Sequence, residues 1–153
     1  KTYAMTGWRI GYTAGNKDII KAMSKLQGQS TSCPNSIAQY AAIEALTGDQ
    51  TQVSAMTQIF NKRKELIVNG LNSIEHIHCE VPNGAFYAFP NISYFLNKTY
   101  NGQIINSCDD LSLLLLNEKY IVTVSGEPFG APNNIRFSYA TSEDVINQML
   151  TEF

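Results

Sequence analysis

The chain has 153 residues, enough for one ordinary core or pieces of two smaller ones. At 44% hydrophobic and 16% charged it reads as a folded chain and not a disordered one, and a net charge of −2 gives no electrostatic reason to expect a nucleic-acid partner. No apolar run approaches the length of a bilayer span, so no membrane partner is expected, and three widely spaced cysteines (Cys33, Cys79, Cys108) without a C-x-x-C pair point to a reducing, cytoplasmic setting and away from a disulfide framework or structural zinc.

Residues 1–15 are rich in glycine, threonine and aromatics, and residues 8–13 read as a short strand. Asn16 is placed to cap a helix in which Ile19, Ile20, Met23 and Leu26 keep helical spacing. Residues 28–33 read as a polar loop, and Pro34 suits the first turn of a second helix. Ile37, Tyr40, Ala41 and Leu46 form the expected buried side of that helix, and Gly48 ends it. Asp49, with Gln52 three residues on, matches a capping box for a longer helix striped by Val53, Met56, Phe60, Ile67 and Leu71. Lys62, Arg63 and Lys64 are expected on its solvated face.

Beyond Gly70 the period shortens. Ile77, Cys79 and Val81 alternate with His78 and Glu80, the Pro82-Asn83-Gly84 run marks a turn, and residues 85–89 complete a predicted hairpin. Ser107 is placed to start a helix carrying the leucine run. Residues 120–124 read as a buried strand, 125–133 as a Gly/Pro-rich loop, 134–139 as another strand, and Ser142 as the cap of a final helix. In the 134–139 strand, Arg136, Ser138 and Ala140 share one face, and Ile135, Phe137 and Tyr139 share the other. An arginine flanked by small residues leaves room for a ligand. His76 and His78 share a strand face but lack further metal ligands at suitable spacing, so no metal site is expected. The chain begins with lysine and shows no targeting segment, so it is expected to be an internal piece of a longer protein.

The stretch Lys1-Thr2-Tyr3-Ala4-Met5-Thr6-Gly7-Trp8-Arg9-Ile10-Gly11-Tyr12 closely resembles the cofactor-lysine segment of the fold-type I pyridoxal-phosphate-dependent aminotransferases, in the aspartate and aromatic aminotransferase superfamily. Residues 29–32 (Gln-Ser-Thr-Ser), 82–87 (Pro-Asn-Gly-Ala-Phe-Tyr) and 134–142 (Asn-Ile-Arg-Phe-Ser-Tyr-Ala-Thr-Ser) resemble further segments of that family, in the same order. The resemblance implies an α/β fold: residues 1–50 as the end of a large cofactor-binding domain, and 51–153 as a linking helix with a small α+β domain.

It also implies roles. Lys1 would bond covalently to the aldehyde of pyridoxal 5'-phosphate and then serve as the base that moves the substrate proton. Arg9 would clamp the cofactor phosphate, and Arg136 would pair with the substrate α-carboxylate. Lysine suits the first task because its neutral amine is nucleophilic; arginine suits the others because its planar fork of donors matches oxyanions. The implied activity is exchange of an amino group between an aspartate-like or aromatic amino acid and a 2-oxo acid, in a homodimer. The loop at 28–33 has no arginine, unlike the loop that animal-type aspartate aminotransferases lend across subunits, and this places the resemblance with the bacterial-type subgroup. In the family, the acid that pairs with the pyridine nitrogen and the aromatic that stacks on the ring precede the lysine, so the fragment alone is expected to be inactive. The same lysine and arginines would also serve a C–S lyase or decarboxylase of this fold, and a non-catalytic dimerisation piece is the remaining alternative.

Overall fold

The computed structural model describes all of residues 1–153, and the chain divides into two compact units, Lys1–Ala55 and Met56–Phe153. The elements are mixed helix and strand, in keeping with part of an α/β fold. No helix is long and apolar enough to cross a membrane.

The first unit is helical. Residues 1–9 fold into consecutive tight turns and residues 10–13 have no regular secondary structure, so the strand expected at 8–13 is absent: Ala4 N–H donates to Lys1 O (3.0 Å), and Thr6–Trp8 is a 3-10 turn closed at Arg9, whose φ is 52°. A strand needs a neighbour to pair with, and this unit has none; local hydrogen bonds serve the turns within residues 1–9. α1 (Lys17–Ser30) starts where Asn16 Oδ1 accepts from Asp18 N–H (2.8 Å) and Ile19 N–H (3.5 Å). It runs through Gly28 to Ser30, so the expected loop shrinks to residues 31–35; a single helical glycine costs only ~1 kcal/mol, too little to stop a helix with a good cap.

α2 (Ser36–Thr47) is capped by Asn35, whose Oδ1 accepts from Ala38 N–H (3.2 Å). Pro34 therefore precedes the cap instead of sitting in the first turn. The expected buried side of α2 is also overturned: Ile37 is 67% exposed and Tyr40 76%, while Ala38 is the one buried residue of the helix. Gly48 does end the helix, and a Cβ there would lie 2.7 Å from Glu44 O, so any larger residue would have to move the last turn. α3 (Thr51–Ser73) begins one residue later than the capping-box reading requires. Asp49 Oδ1 accepts from Thr51 N–H (3.0 Å) and its hydroxyl (2.6 Å), which leaves Gln52 one position short of the box.

The second unit is built on β5 (Ile135–Ser138), which lies between two antiparallel neighbours. On one side is β1 (Tyr87–Ala88), with Tyr87 opposite Ser138; on the other is β4 (Val124–Ser125), with Val124 opposite Arg136. Ile135, Phe137 and Tyr139 are buried, whereas Arg136, Ser138 and Ala140 are not. The buried face packs into a core with Ile67, Val68 and Leu71 of α3, Leu111 and Leu115 of α4 (Cys108–Lys119), and Ile146 of α5 (Glu143–Glu152). Ser107 Oγ accepts from Asp110 N–H (3.1 Å) and Ser142 Oγ from Val145 N–H (3.3 Å), so both predicted caps are in place.

Three strand readings need correction. Ile77 and Cys79 are buried and alternate with exposed His78 and Glu80, but this segment makes a lone antiparallel bridge, His78 to Asn91, and Val81 is 61% exposed. The ladder partner of β1 is β5, so the 77–89 hairpin is replaced by a long-range pairing. Residues 120–124 are not a buried strand: Tyr120 is the left-handed end of α4 at φ 57°, Ile121 is buried, and Val122 is 76% exposed. A real hairpin went unread: β2 (Thr99–Tyr100) pairs with β3 (Gln103–Ile104) across Asn101-Gly102, both at positive φ, which is the turn chemistry that an Asn-Gly pair favours. Arg63 also departs from a fully solvated face, with its Nε buried and its Cζ 5.4 Å from the Phe60 ring centre.

Gly126 closes the 125–134 loop. Its N–H donates to Asn134 O (2.8 Å), and a Cβ there would fall 2.2 Å from Ala131 O and 2.4 Å from Asn134 O. Because those obstacles are backbone atoms, Gly126→Ala is expected to destabilise the second unit by roughly 3 kcal/mol, at the upper end of overpacking costs. Chemical denaturation of the two proteins under identical conditions measures it, and a loss below about 1 kcal/mol would show that the loop relaxes freely.

Burial raises the thiol pKa of Cys79 and Cys108 above the ordinary value of 9.0. Above that pH the unfolded chain releases thiol protons that the folded chain retains, which favours unfolding. Stability of the second unit is therefore full below about pH 9 and falls as pH climbs towards the raised folded values. Denaturation midpoints at pH 8 and 10 check this, with a Cys79→Ala, Cys108→Ala double variant expected to flatten the fall.

Candidate active site

The three predicted site residues fall in both units. Lys1 and Arg9 belong to the first, where the turns between them bring both to the wall of one open depression of about 830 Å³. Thr2, Tyr3, Met5, Thr6, Tyr12 and part of α2 complete that wall. The first turn is anchored by Tyr3, whose hydroxyl donates to Gln50 Oε1 (3.1 Å); Gln50 Nε2 in turn donates to Ala45 O (3.1 Å) and Gly48 O (2.8 Å). Sequence reasoning missed Gln50, since a lone glutamine before a helix carries no signal of a partner 47 residues away.

Arg9 sits in the left-handed region at φ 52°, and its Nη1 donates to Thr6 O (3.0 Å). Ala4, at φ 53°, is also left-handed. Such conformations cost of order 1 kcal/mol or more each for residues with a Cβ, so they are held here by the closing hydrogen bonds. Gly7 and Gly11 have nothing within 4 Å of where a Cβ would lie, leaving open space beside the backbone on both sides of Arg9.

Arg136 belongs to the second unit, on the non-core face of β5. Its Cζ lies 4.5 Å from the Tyr87 ring centre and 4.9 Å from that of Phe129. The sequence places Tyr87 in a predicted hairpin strand and Phe129 in a loop; neither position signals a contact with Arg136 until the fold is known. His76 stacks on Tyr94 at 3.6 Å, and His78 meets Glu80 at 2.8 Å. No three His, Cys, Asp or Glu side chains gather where they would hold a metal.

A family model described as aminotransferase class I and II matches residues 1–153. The chain belongs to this family. It is 45% identical over 151 residues to an aspartate aminotransferase of Rhizobium meliloti, covering 98% of this chain and 37% of that protein. It is 44% identical over 149 residues to an aspartate/prephenate aminotransferase of Cereibacter sphaeroides, covering 97% and 37%. Among solved structures, the aspartate aminotransferase of Rhizobium meliloti superimposes with a TM-score of 0.90 at 44% identity, over 99% of this chain and 38% of that one. The chain thus spans a little over a third of the length of these relatives.

Aspartate aminotransferases of the family use pyridoxal 5'-phosphate. The first unit fits such a group by the chemistry of its donors. A primary amine and a guanidinium, suited to an aldehyde and a phosphate, line the same depression, whose volume lies in the ~300–1,000 Å³ range of small-molecule sites.

Proposed function

We propose that this chain is part of an aminotransferase that moves an amino group between an aspartate-like or aromatic amino acid and a 2-oxo acid, with pyridoxal 5'-phosphate as cofactor. The observation that carries the reading is the joint presence of Lys1 and Arg9 on one depression, in a chain that matches the family from end to end. Relatives named for aspartate and for aspartate/prephenate support the choice of substrates. When bound, pyridoxal phosphate supplies an aldehyde for covalent capture of amines and a ring that accepts electrons from the substrate carbon.

The chain's own residues divide the remaining work. Lys1 supplies the nucleophilic amine and, once released, a base at the substrate α-carbon. Arg9 holds the phosphate by charge-assisted hydrogen bonds. Arg136 holds the α-carboxylate and so fixes the orientation of the carbon that loses its proton. In this reading residues 1–50 end the large cofactor-binding domain, and residues 51–153 are the linking helix and small domain. The exposed apolar side chains of α1 and α2, including Ile19, Leu26, Ile37 and Tyr40, support a homodimer in which such faces are covered. Three unbridged cysteines support a cytoplasmic setting.

The test uses the complete, cofactor-loaded protein. Lys1→Ala is expected to abolish amino-group exchange while cofactor phosphate is still bound through Arg9, and absorbance together with 2-oxo-acid release follows both. Arg136→Ala is expected to lower kcat/KM by the usual cost of breaking a buried charge pair, on the order of 2–5 kcal/mol. Loss of less than about tenfold, under the 1.4 kcal/mol that one decade represents, would remove Arg136 from the carboxylate site. Ammonia, sulfide or carbon dioxide released in place of a 2-oxo acid would replace the aminotransferase with a lyase or decarboxylase of the same fold.

A further inference from the structure

A guanidinium recognises a carboxylate through N–H donors in a fixed fork, and a carboxylate already paired with it competes for those donors. Arg136 has no such competitor in its unit: its guanidinium forms neither an ion pair nor a hydrogen bond there. The group is nonetheless held in place. Its Cζ lies 4.5 Å from the ring centre of Tyr87 and 4.9 Å from that of Phe129, both inside the ~6 Å reach of a cation–π attraction. Ring faces attract the cation through their quadrupole without accepting its N–H groups as a carboxylate would.

Both rings are set by the fold. Tyr87 stands opposite Ser138 in the β1–β5 ladder, two residues from Arg136 on the same face, the diagonal relation across which an aromatic ring reaches its neighbour. Its ring is braced by Phe86, 4.8 Å away. Phe129 ends the 3-10 turn Glu127–Phe129, where its N–H donates to Gly126 O (2.9 Å) and the ring meets Phe89 edge-on at 6.4 Å. Gly126, where backbone leaves no room for a Cβ, is what lets the loop bring Phe129 back over the strand.

We propose that Tyr87 and Phe129 are positioning residues that hold Arg136 between their ring faces with its donors uncommitted, ready for a substrate carboxylate. This rests on the reading of Arg136 as the carboxylate site. The aromatic pair orients the guanidinium before substrate arrives and leaves its positive charge intact, so the incoming carboxylate displaces no anion of this unit from it. A glutamate or aspartate in either position would orient the arginine equally well but would neutralise it.

The test measures succinate, an unreactive dicarboxylate, binding to the complete cofactor-loaded protein by calorimetry, alongside KM and kcat for the amino donor. Tyr87→Leu and Phe129→Leu are each expected to weaken succinate binding and raise KM roughly three- to tenfold, with kcat changed less than about twofold. Tyr87→Phe keeps the ring face and is expected to bind as the parent does. If Tyr87→Leu fails to fold, Phe129→Leu carries the test, because Phe129 is an exposed loop residue. Arg136→Ala separates the two layers of the argument. Should it weaken succinate binding while both leucine variants bind normally, the positioning role is wrong and the carboxylate reading stands. Should Arg136→Ala itself bind succinate normally, the carboxylate reading falls and the positioning role with it. A Tyr87→Phe variant as weak as Tyr87→Leu would assign the effect to the hydroxyl and overturn the proposal.

Discussion

The second unit depends on the antiparallel pairing of one short strand with two neighbours. β5 has four residues, yet its alternation sends Ile135 and Phe137 into the core while Arg136 and Ser138 stay on the other face. Because side chains alternate with period two, a slip of one residue would bury the guanidinium and expose the apolar side chains. Burial of an unpaired charge costs several kcal/mol, so the core and the position of Arg136 enforce each other. The ladder extends past the strand ends: Tyr139 N–H donates to Phe86 O (2.9 Å), and Tyr139 Oη donates to Ala85 O (3.1 Å). Asn134 Nδ2 reaches Phe89 O (3.0 Å) at the other end.

The first unit is organised differently. It has one buried residue among its helices, Ala38, and its order is set by caps and turns. Asn16, Asn35 and Asp49 each satisfy backbone N–H groups at a helix start, and the Tyr3 to Gln50 hydrogen bond ties the leading turns to the turn after α2. Local hydrogen bonds define helix ends well, but they supply little of the apolar burial that stabilises a helix in water. The large exposed side chains of α1 and α2 are therefore surfaces of a kind that proteins cover. The same thinness explains why the lysine segment is a series of turns: with no strand to pair against, its N–H groups find the nearest carbonyls.

The two units carry different chemical groups. The first carries an amine and a guanidinium on one depression; the second carries a guanidinium gripped by ring faces. In the role proposed for Arg136, an arginine that binds a carboxylate afresh in each turnover works best when no acid of its own unit neutralises it. Aromatic faces meet that requirement, whereas an ion pair does not.

Much of this was legible in the residues themselves, for a physical reason. The caps at Asn16, Ser107 and Ser142 are local chemistry, decided within three residues, and the two-faced pattern of residues 134–140 is a period that needs no partner to be recognised. The family membership was legible too, because the lysine segment is a contiguous run. Tertiary structure decided what depends on distant partners. It paired β1 with β5 in place of the nearer segment at 77–81, since register follows burial on both strands and not proximity in the chain. It left Val122, Ile37 and Tyr40 exposed, because apolar periodicity states which face a residue shares but not whether anything covers that face. It also brought Phe129 and Tyr87, 42 residues apart in sequence, to ring-centre distances of 4.9 and 4.5 Å from the Arg136 guanidinium carbon, a contact set jointly by a strand register and by the room that Gly126 leaves.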